Sequence, residues 1–164
     1  MGLHDRSDEH PDVQVAEPTR AVAAFRSRPV HPAVTVPAGR PVLYISGIPQ
    51  SRVLFTRIAR RWRPVKLLVA EGGEAGLRLV EERQLRLIAI DAVLPDTDAV
   101  DLVIRLRRAR KAAAVPILVL GPDPSPQARA RFMWVGANAV VTMPFDVAEV
   151  ERTVQHLLHS VPLA

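Results

Sequence analysis

The chain has 164 residues, of which 48% are hydrophobic, and this is enough to bury one core of ordinary size. It contains no cysteine, which excludes disulfides, thiolate metal sites and cysteine nucleophiles. The formal net charge is +5, and the whole excess of Lys and Arg lies after residue 40. The N-terminal sequence MGLHDRSDEH lacks the pattern of a signal peptide, and no apolar run approaches the length of about 18 residues that crosses a membrane. We therefore expect a cytoplasmic protein that does not enter the membrane.

The first 40 residues differ in composition from the rest of the chain. They contain five of the 15 prolines and show no sustained period in their apolar residues. A segment of this kind cannot bury enough apolar surface to order itself. Residues 1–40 are therefore predicted to be a disordered extension, and residues 41–164 are predicted to form the folded domain.

After residue 40, short apolar runs alternate with longer amphipathic segments. Five repeats of a strand followed by a helix predict an α/β fold with a doubly wound, five-stranded parallel sheet. The predicted strands are 42–45, 66–70, 85–91, 116–120 and 139–142, and the predicted helices are 51–62, 74–83, 99–110, 125–135 and 147–158.

Two segments within this pattern are strongly basic, RIARRWRPVK at 57–66 and RLRRARK at 105–111. Basic helix faces can attract the phosphates of nucleic acid. No zinc-finger spacing and no stacking aromatic residues accompany them, and arginine also solvates an exposed helix face. The sequence therefore favours solvated helices over a nucleic-acid interface.

In an open parallel sheet, functional groups gather at the carboxyl ends of the strands. This sequence delivers Ser46 and Gly47 after the first strand, Asp91 at the end of the third, Gly121 after the fourth, and Met143 after the fifth. Only Asp91 is ionisable, so the pattern alone leaves open a nucleophile, a metal ligand or a solvated strand end.

Three stretches of the domain, taken together, carry a resemblance. They are IAIDAVLPDTDA at 88–99, VPILVLGPD at 115–123 and GANAVVTMPFDVAEV at 136–150. Their order resembles the receiver domain of the response regulators of two-component systems, and the resemblance covers residues 41 to about 160. It implies a flavodoxin-like (βα)5 receiver fold and a cis peptide bond between Met143 and Pro144.

By this resemblance Asp91 stands at the phosphoacceptor position, but the residues that usually bind Mg²⁺ and the phosphoryl group are replaced. Ser46 and Gly47 stand where receivers place an acidic pair for Mg²⁺, Gly121 where they place a hydroxyl, and Met143 where they place a lysine. Phosphoryl transfer depends on positioning and charge neutralisation, so conventional phosphorylation of this chain is expected to be very slow. We predict a degenerate pseudo-receiver without enzymatic activity and with weak or absent Mg²⁺ binding.

A module of this kind is predicted to act through protein–protein contacts. Receivers commonly use the fourth helix, fifth strand and fifth helix, which here point to Met133, Trp134 and Val140 as contact residues. The expected partner is a histidine kinase, a phosphotransfer protein or another regulatory protein, with a homodimer as a further option. Because the segments flanking the predicted domain are short, we expect no DNA-binding output domain.

Two alternatives remain beside this prediction. A conventional response regulator would be phosphorylated on Asp91 by a histidine kinase or a phosphotransfer protein. A flavodoxin-like enzyme or nucleotide binder is less consistent with the sequence, because SGIPQS after the first strand is not a glycine-rich phosphate loop.

Overall fold

The computed structural model describes residues 39–62, 65–123 and 125–159. Almost all of the extension predicted for residues 1–40 lies outside these ranges. Its disorder, and the start of the domain at residue 41, therefore stay predictions.

Five parallel strands form a sheet in the order β2-β1-β3-β4-β5, which confirms the predicted α/β class and topology. The winding reverses beside β1, so helices can cover both faces of the sheet. The bounds of three strands differ from the prediction by one or two residues. The strands are β1 Val42–Ile45, β2 Leu67–Ala70, β3 Leu87–Asp91, β4 Ile117–Gly121 and β5 Ala139–Thr142.

A helix follows each strand, as predicted, with ends that shift by one to three residues. The first helix begins early because Pro49 lies in the first turn, where its missing N–H leaves no hydrogen bond unmade. It ends before Trp62, whose N–H donates to the carbonyl of Ala59 in a tighter turn. The helices are α1 Pro49–Ala59, α2 Gly73–Glu82, α3 Ala99–Arg108, α4 Pro126–Trp134 and α5 Val147–His159.

The core has two halves, one on each face of the sheet. Side chains alternate across a strand, so Tyr44 and Ala89 point into one half while Ile45 and Ile90 point into the other. The first half is closed by α1 and α5, and the second by α2, α3 and α4. This alternation decides which side of the sheet each functional side chain reaches.

Three aromatic rings pack in sequence in the half of the core under α1. The ring of Tyr44 stacks on Phe55 with centroids 4.1 Å apart, and Phe55 meets Trp62 edge to face at 5.7 Å. All three residues are buried. The first helix is therefore connected by ring contacts to the middle of β1.

Candidate functional site

The predicted site residues meet at the carboxyl edge of the sheet. Asp91 ends β3 and lies opposite Leu120, and Gly121 ends β4 opposite Thr142. The loop after β5 is tied to this edge because the N–H of Met143 donates to the carbonyl of Gly121 at 2.7 Å. The Met143–Pro144 bond is cis, as the resemblance implied.

The carboxylate of Asp91 is turned into the protein. Asp91 shares the side of its strand with Ala89, so its side chain faces the half of the core under α1, and it is only 1% exposed. Two hydroxyl groups donate to it: Tyr44 to Oδ1 at 2.7 Å and Ser46 Oγ to Oδ2 at 2.6 Å. Each carboxylate oxygen therefore has a hydrogen-bond donor within the protein.

The sequence analysis predicted Ser46 at this site but not Tyr44, which lies within the apolar run of β1. A signal was present, because Tyr44 and Ser46 are two residues apart and so point to the same side of the strand. A buried tyrosine usually finds a partner for its hydroxyl. The partner lies 47 residues along the chain, on the neighbouring strand.

Ser46 is itself held in place by the start of α1. The N–H of Ile48 donates to Ser46 Oγ at 3.1 Å, and Nη1 of Arg52 donates to the Ser46 carbonyl at 2.9 Å. Arg52 also pairs with Glu71 at 3.3 Å. The hydroxyl that caps Asp91 is therefore positioned by its own hydrogen bonds, and Arg52 reaches the backbone rather than the carboxylate.

The electrostatics of the cluster follow from its burial. Burial raises the pKa of Asp91, and the hydrogen bonds from Ser46 and Tyr44 act in the opposite direction. Burial and the neighbouring Asp91 raise the pKa of Tyr44, so the phenol stays protonated as a donor. Among the described residues, no ion pair to Asp91 is formed. Hydroxyl groups thus stabilise a buried acid that has no cation beside it.

Two of the positions at which the resemblance implies polar side chains, Gly47 and Gly121, have little free space around them. A Cβ built at Gly47 would lie 2.5 Å from Cδ and 2.9 Å from Cγ of Pro95, in the loop after β3. A Cβ at Gly121 would lie 3.2 Å from the Cβ of Ala92. A side chain at position 47 would therefore have to displace Pro95, whereas a side chain at position 121 would need Ala92 to shift by only a few tenths of an ångström.

Asp96, in the same loop, is hydrogen-bonded to the start of α2. Asp96 accepts from the N–H groups of Gly73 and Glu74, at 2.9 and 3.0 Å, and so caps the start of α2. These two hydrogen bonds lower the pKa of Asp96. In the described part of the chain, no group of three or more acidic or histidine side chains is arranged to hold a metal ion.

The three predicted contact residues differ in exposure. Trp134 is 92% exposed at the end of α4, and Met133 beside it is also exposed. Val140 is only 8% exposed and packs in the half of the core under α3 and α4. Val140 therefore offers almost no side-chain surface in this state, because β5 turns it inward.

Comparison with curated proteins finds transcriptional regulators. The DNA-binding regulator RpaA of Synechocystis is 35% identical over 89 residues, which is 54% of this chain and 37% of that protein. The chain spans about two fifths of the length of such relatives. No family model matches the chain.

Solved structures agree on the fold. The receiver domain of the sensor histidine kinase PA1611 of Pseudomonas aeruginosa, which holds a magnesium ion in its active-site cleft, is 22% identical with a TM-score of 0.68, over 74% of this chain and 99% of that domain. The Vibrio cholerae chemotaxis protein CheY4 gives 21% and 0.69, over 74% and 100%. The described domain therefore has the fold of a response-regulator receiver domain, as the resemblance implied. None of its described helices is long and apolar enough to cross a membrane.

Because the pKa of Asp91 is raised, the free energy of unfolding should depend on pH in wild type and less so in Asp91→Asn. A raised folded pKa means that the folded state binds the proton more tightly, so this stabilisation is present in acid and lost as pH rises through the folded pKa. The free energy of unfolding of wild type, relative to Asp91→Asn, should therefore fall as the pH rises from about 4 toward 7. Urea denaturation of both proteins across this range measures it, and a constant difference would contradict the assignment.

The contact between Gly47 and Pro95 predicts a coupled pair of substitutions. Gly47→Ala should lower the free energy of unfolding by about 1–3 kcal/mol, because the new Cβ overlaps a rigid proline ring. Pro95→Ala removes the two ring atoms concerned, so most of the cost should disappear when Gly47→Ala is made in that background. A double-mutant cycle by urea denaturation measures the coupling, and strictly additive effects would show that the loop is not closed over Gly47.

Proposed function

We propose that this domain is a signalling module of two-component or related pathways, which acts by protein–protein contact and independently of phosphorylation at Asp91. It is a degenerate receiver and does no chemistry of its own. The observation that carries the proposal is the burial of Asp91 beneath two donating hydroxyl groups.

Phosphorylation would require Asp91 to act as a nucleophile. A phosphoryl donor has to approach a carboxylate oxygen in line, and each oxygen of Asp91 already accepts a short hydrogen bond from the protein. The side chain would have to leave this cluster and turn toward solvent. Tyr44 and Ser46 would then lose a buried partner, which costs about 1–3 kcal/mol for each unsatisfied group.

Charge neutralisation is missing as well. Phosphoryl transfer relies on cations and preorganised donors around the transferred group, and the loss of one such donor typically costs about 2.7–4 kcal/mol of barrier. Gly47, Gly121 and Met143 supply no ligand or charge, and the first two are packed against neighbouring loops. A slow reaction at Asp91 is therefore expected even when a kinase is present.

A receiver fold that does not carry out phosphoryl transfer can still bind other proteins. The helix α4 buries none of its residues completely, and its last turn presents Trp134 and Met133 to solvent. Trp134 does not fold back over its own helix, since 92% of it is exposed. Tryptophan and methionine are enriched in protein interfaces, so this turn is the proposed contact surface for a kinase, phosphotransfer protein or regulator.

A titration with Mg²⁺ and beryllofluoride, a phosphoryl mimic, tests independence from phosphorylation. Trp134→Phe leaves Trp62 as the single tryptophan, and Trp62 is connected to Asp91 through the rings of Phe55 and Tyr44. We expect no change in Trp62 fluorescence or in the amide NMR shifts around Asp91 at millimolar metal. A receiver that retains its acidic pair serves as the positive control.

Saturable shifts centred on Asp91 would overturn the proposal and favour the conventional response regulator. In that case, phosphate should also be transferred from a kinase or a phosphotransfer protein, and the transfer should be lost in Asp91→Asn. Incubation with acetyl phosphate followed by intact mass measurement distinguishes the two directly.

The contact surface is tested by Trp134→Ala against candidate kinases and phosphotransfer proteins. Loss of an exposed tryptophan at the centre of an interface typically costs about 2 kcal/mol or more, which is about a 30-fold loss of affinity. Val93→Ala is the matched control, because Val93 is an exposed apolar residue in the loop after β3. Isothermal titration calorimetry gives both affinities, and equal losses in the two variants would exclude the last turn of α4 as the contact surface.

A further inference from the structure

A second apolar surface lies on the outer face of α1. Val53 and Leu54 are 54% and 46% exposed, and with Pro49, Gln50 and Arg57 they line a shallow surface depression. Positions 50, 53, 54 and 57 follow the spacing i, i+3, i+4, i+7, which is one continuous stripe along a helix. The side of α1 opposite this stripe packs into the core through Phe55 and Ile58.

The surface extends beyond the helix. Ile48, directly before α1, is exposed, and so is Val69 on β2, an edge strand of the sheet. Val69 points to the same side of β2 as Leu67, which packs against the core under α1. Apolar side chains that are exposed together in this way mark interaction sites more often than scattered ones do.

Charged residues lie at both ends of this apolar surface. Arg57 lies one turn to the C-terminal side of Val53 and Leu54, is exposed, and forms no ion pair among the described residues. Glu71 lies toward the N-terminal side, where it contacts Arg52, and 82% of its side chain is exposed. The surface thus has an apolar centre, a basic end at Arg57 and, at the other end, the exposed carboxylate of Glu71 in its salt bridge with Arg52, which we call the acidic end.

A two-fold axis through the centre of the stripe makes these ends complementary. Two antiparallel copies of α1 would place Val53 against Leu54 and the basic end of each copy beside the acidic end of the other. The pairing occurs twice because a two-fold interface is isologous. A parallel arrangement would place Arg57 beside Arg57, which is repulsive.

We propose that two copies of this chain associate through α1 in this antiparallel arrangement, with Val53 and Leu54 at the centre and Arg57 reaching Glu71 of the other copy. The interface is small, so the dimer is weak, with a Kd in the range of about 10–100 µM. The inference is independent of the phosphorylation state of Asp91 and of the contact surface on α4.

Sedimentation equilibrium of the full chain from about 5 to about 500 µM tests the proposal. Wild type should change from monomer to dimer across this range. Val53→Glu and Leu54→Glu should each weaken the dimer at least tenfold, since they bury a charge at its centre. Both positions are exposed in the monomer, and circular dichroism verifies that the variants fold.

A charge exchange separates this arrangement from other dimers. Arg57→Glu and Glu71→Arg should each weaken the dimer, and the double variant should recover most of the loss. Trp134→Ala is the matched control, because it removes the exposed aromatic residue of α4 and should leave the dimer unchanged. A monomer at every concentration would overturn the proposal, as would a dimer that resists Val53→Glu or is lost in Trp134→Ala.

Discussion

The buried carboxylate of Asp91 is the constraint on which the rest of this site depends. Asp91 is 1% exposed and forms no ion pair with the residues that the structure describes, so its carboxylate depends on neutral donors, which Tyr44 and Ser46 supply at 2.7 and 2.6 Å. To reach the acid, the Tyr44 ring stands in the half of the core under α1, where it stacks on Phe55. The packing of the first helix and the state of Asp91 are therefore parts of one arrangement.

The loop after β3 packs closely against the other residues at this edge of the sheet. Pro95 fills the space beside Gly47, Ala92 lies against Gly121, and Asp96 caps α2. This loop leaves no room for a side chain at Gly47 unless Pro95 moves, and it leaves little room for one at Gly121. A side chain added at Gly47 would therefore meet Pro95 first, so the packing around Asp91 limits which residues this position accepts.

The two exposed apolar surfaces lie on different helices and differ in character. The last turn of α4 presents a single, almost fully exposed tryptophan with a methionine, whereas α1 presents a stripe of aliphatic side chains with charged ends. We propose the first as a contact surface for a different protein and the second as a contact surface for an identical copy. The two proposed contacts use different helices.

The sequence by itself determined the fold, because short apolar runs and amphipathic segments have the periods of buried strands and surface helices. It also determined Asp91, Ser46, Gly47, Gly121 and Met143 as the groups at the carboxyl edge, since parallel strands bring their ends together. Only the tertiary structure decided the partner of Tyr44, the closure of Pro95 over Gly47, and the burial of Val140. Periodicity shows which side of an element a residue takes, but contacts between residues far apart in the chain depend on how loops and neighbouring elements pack.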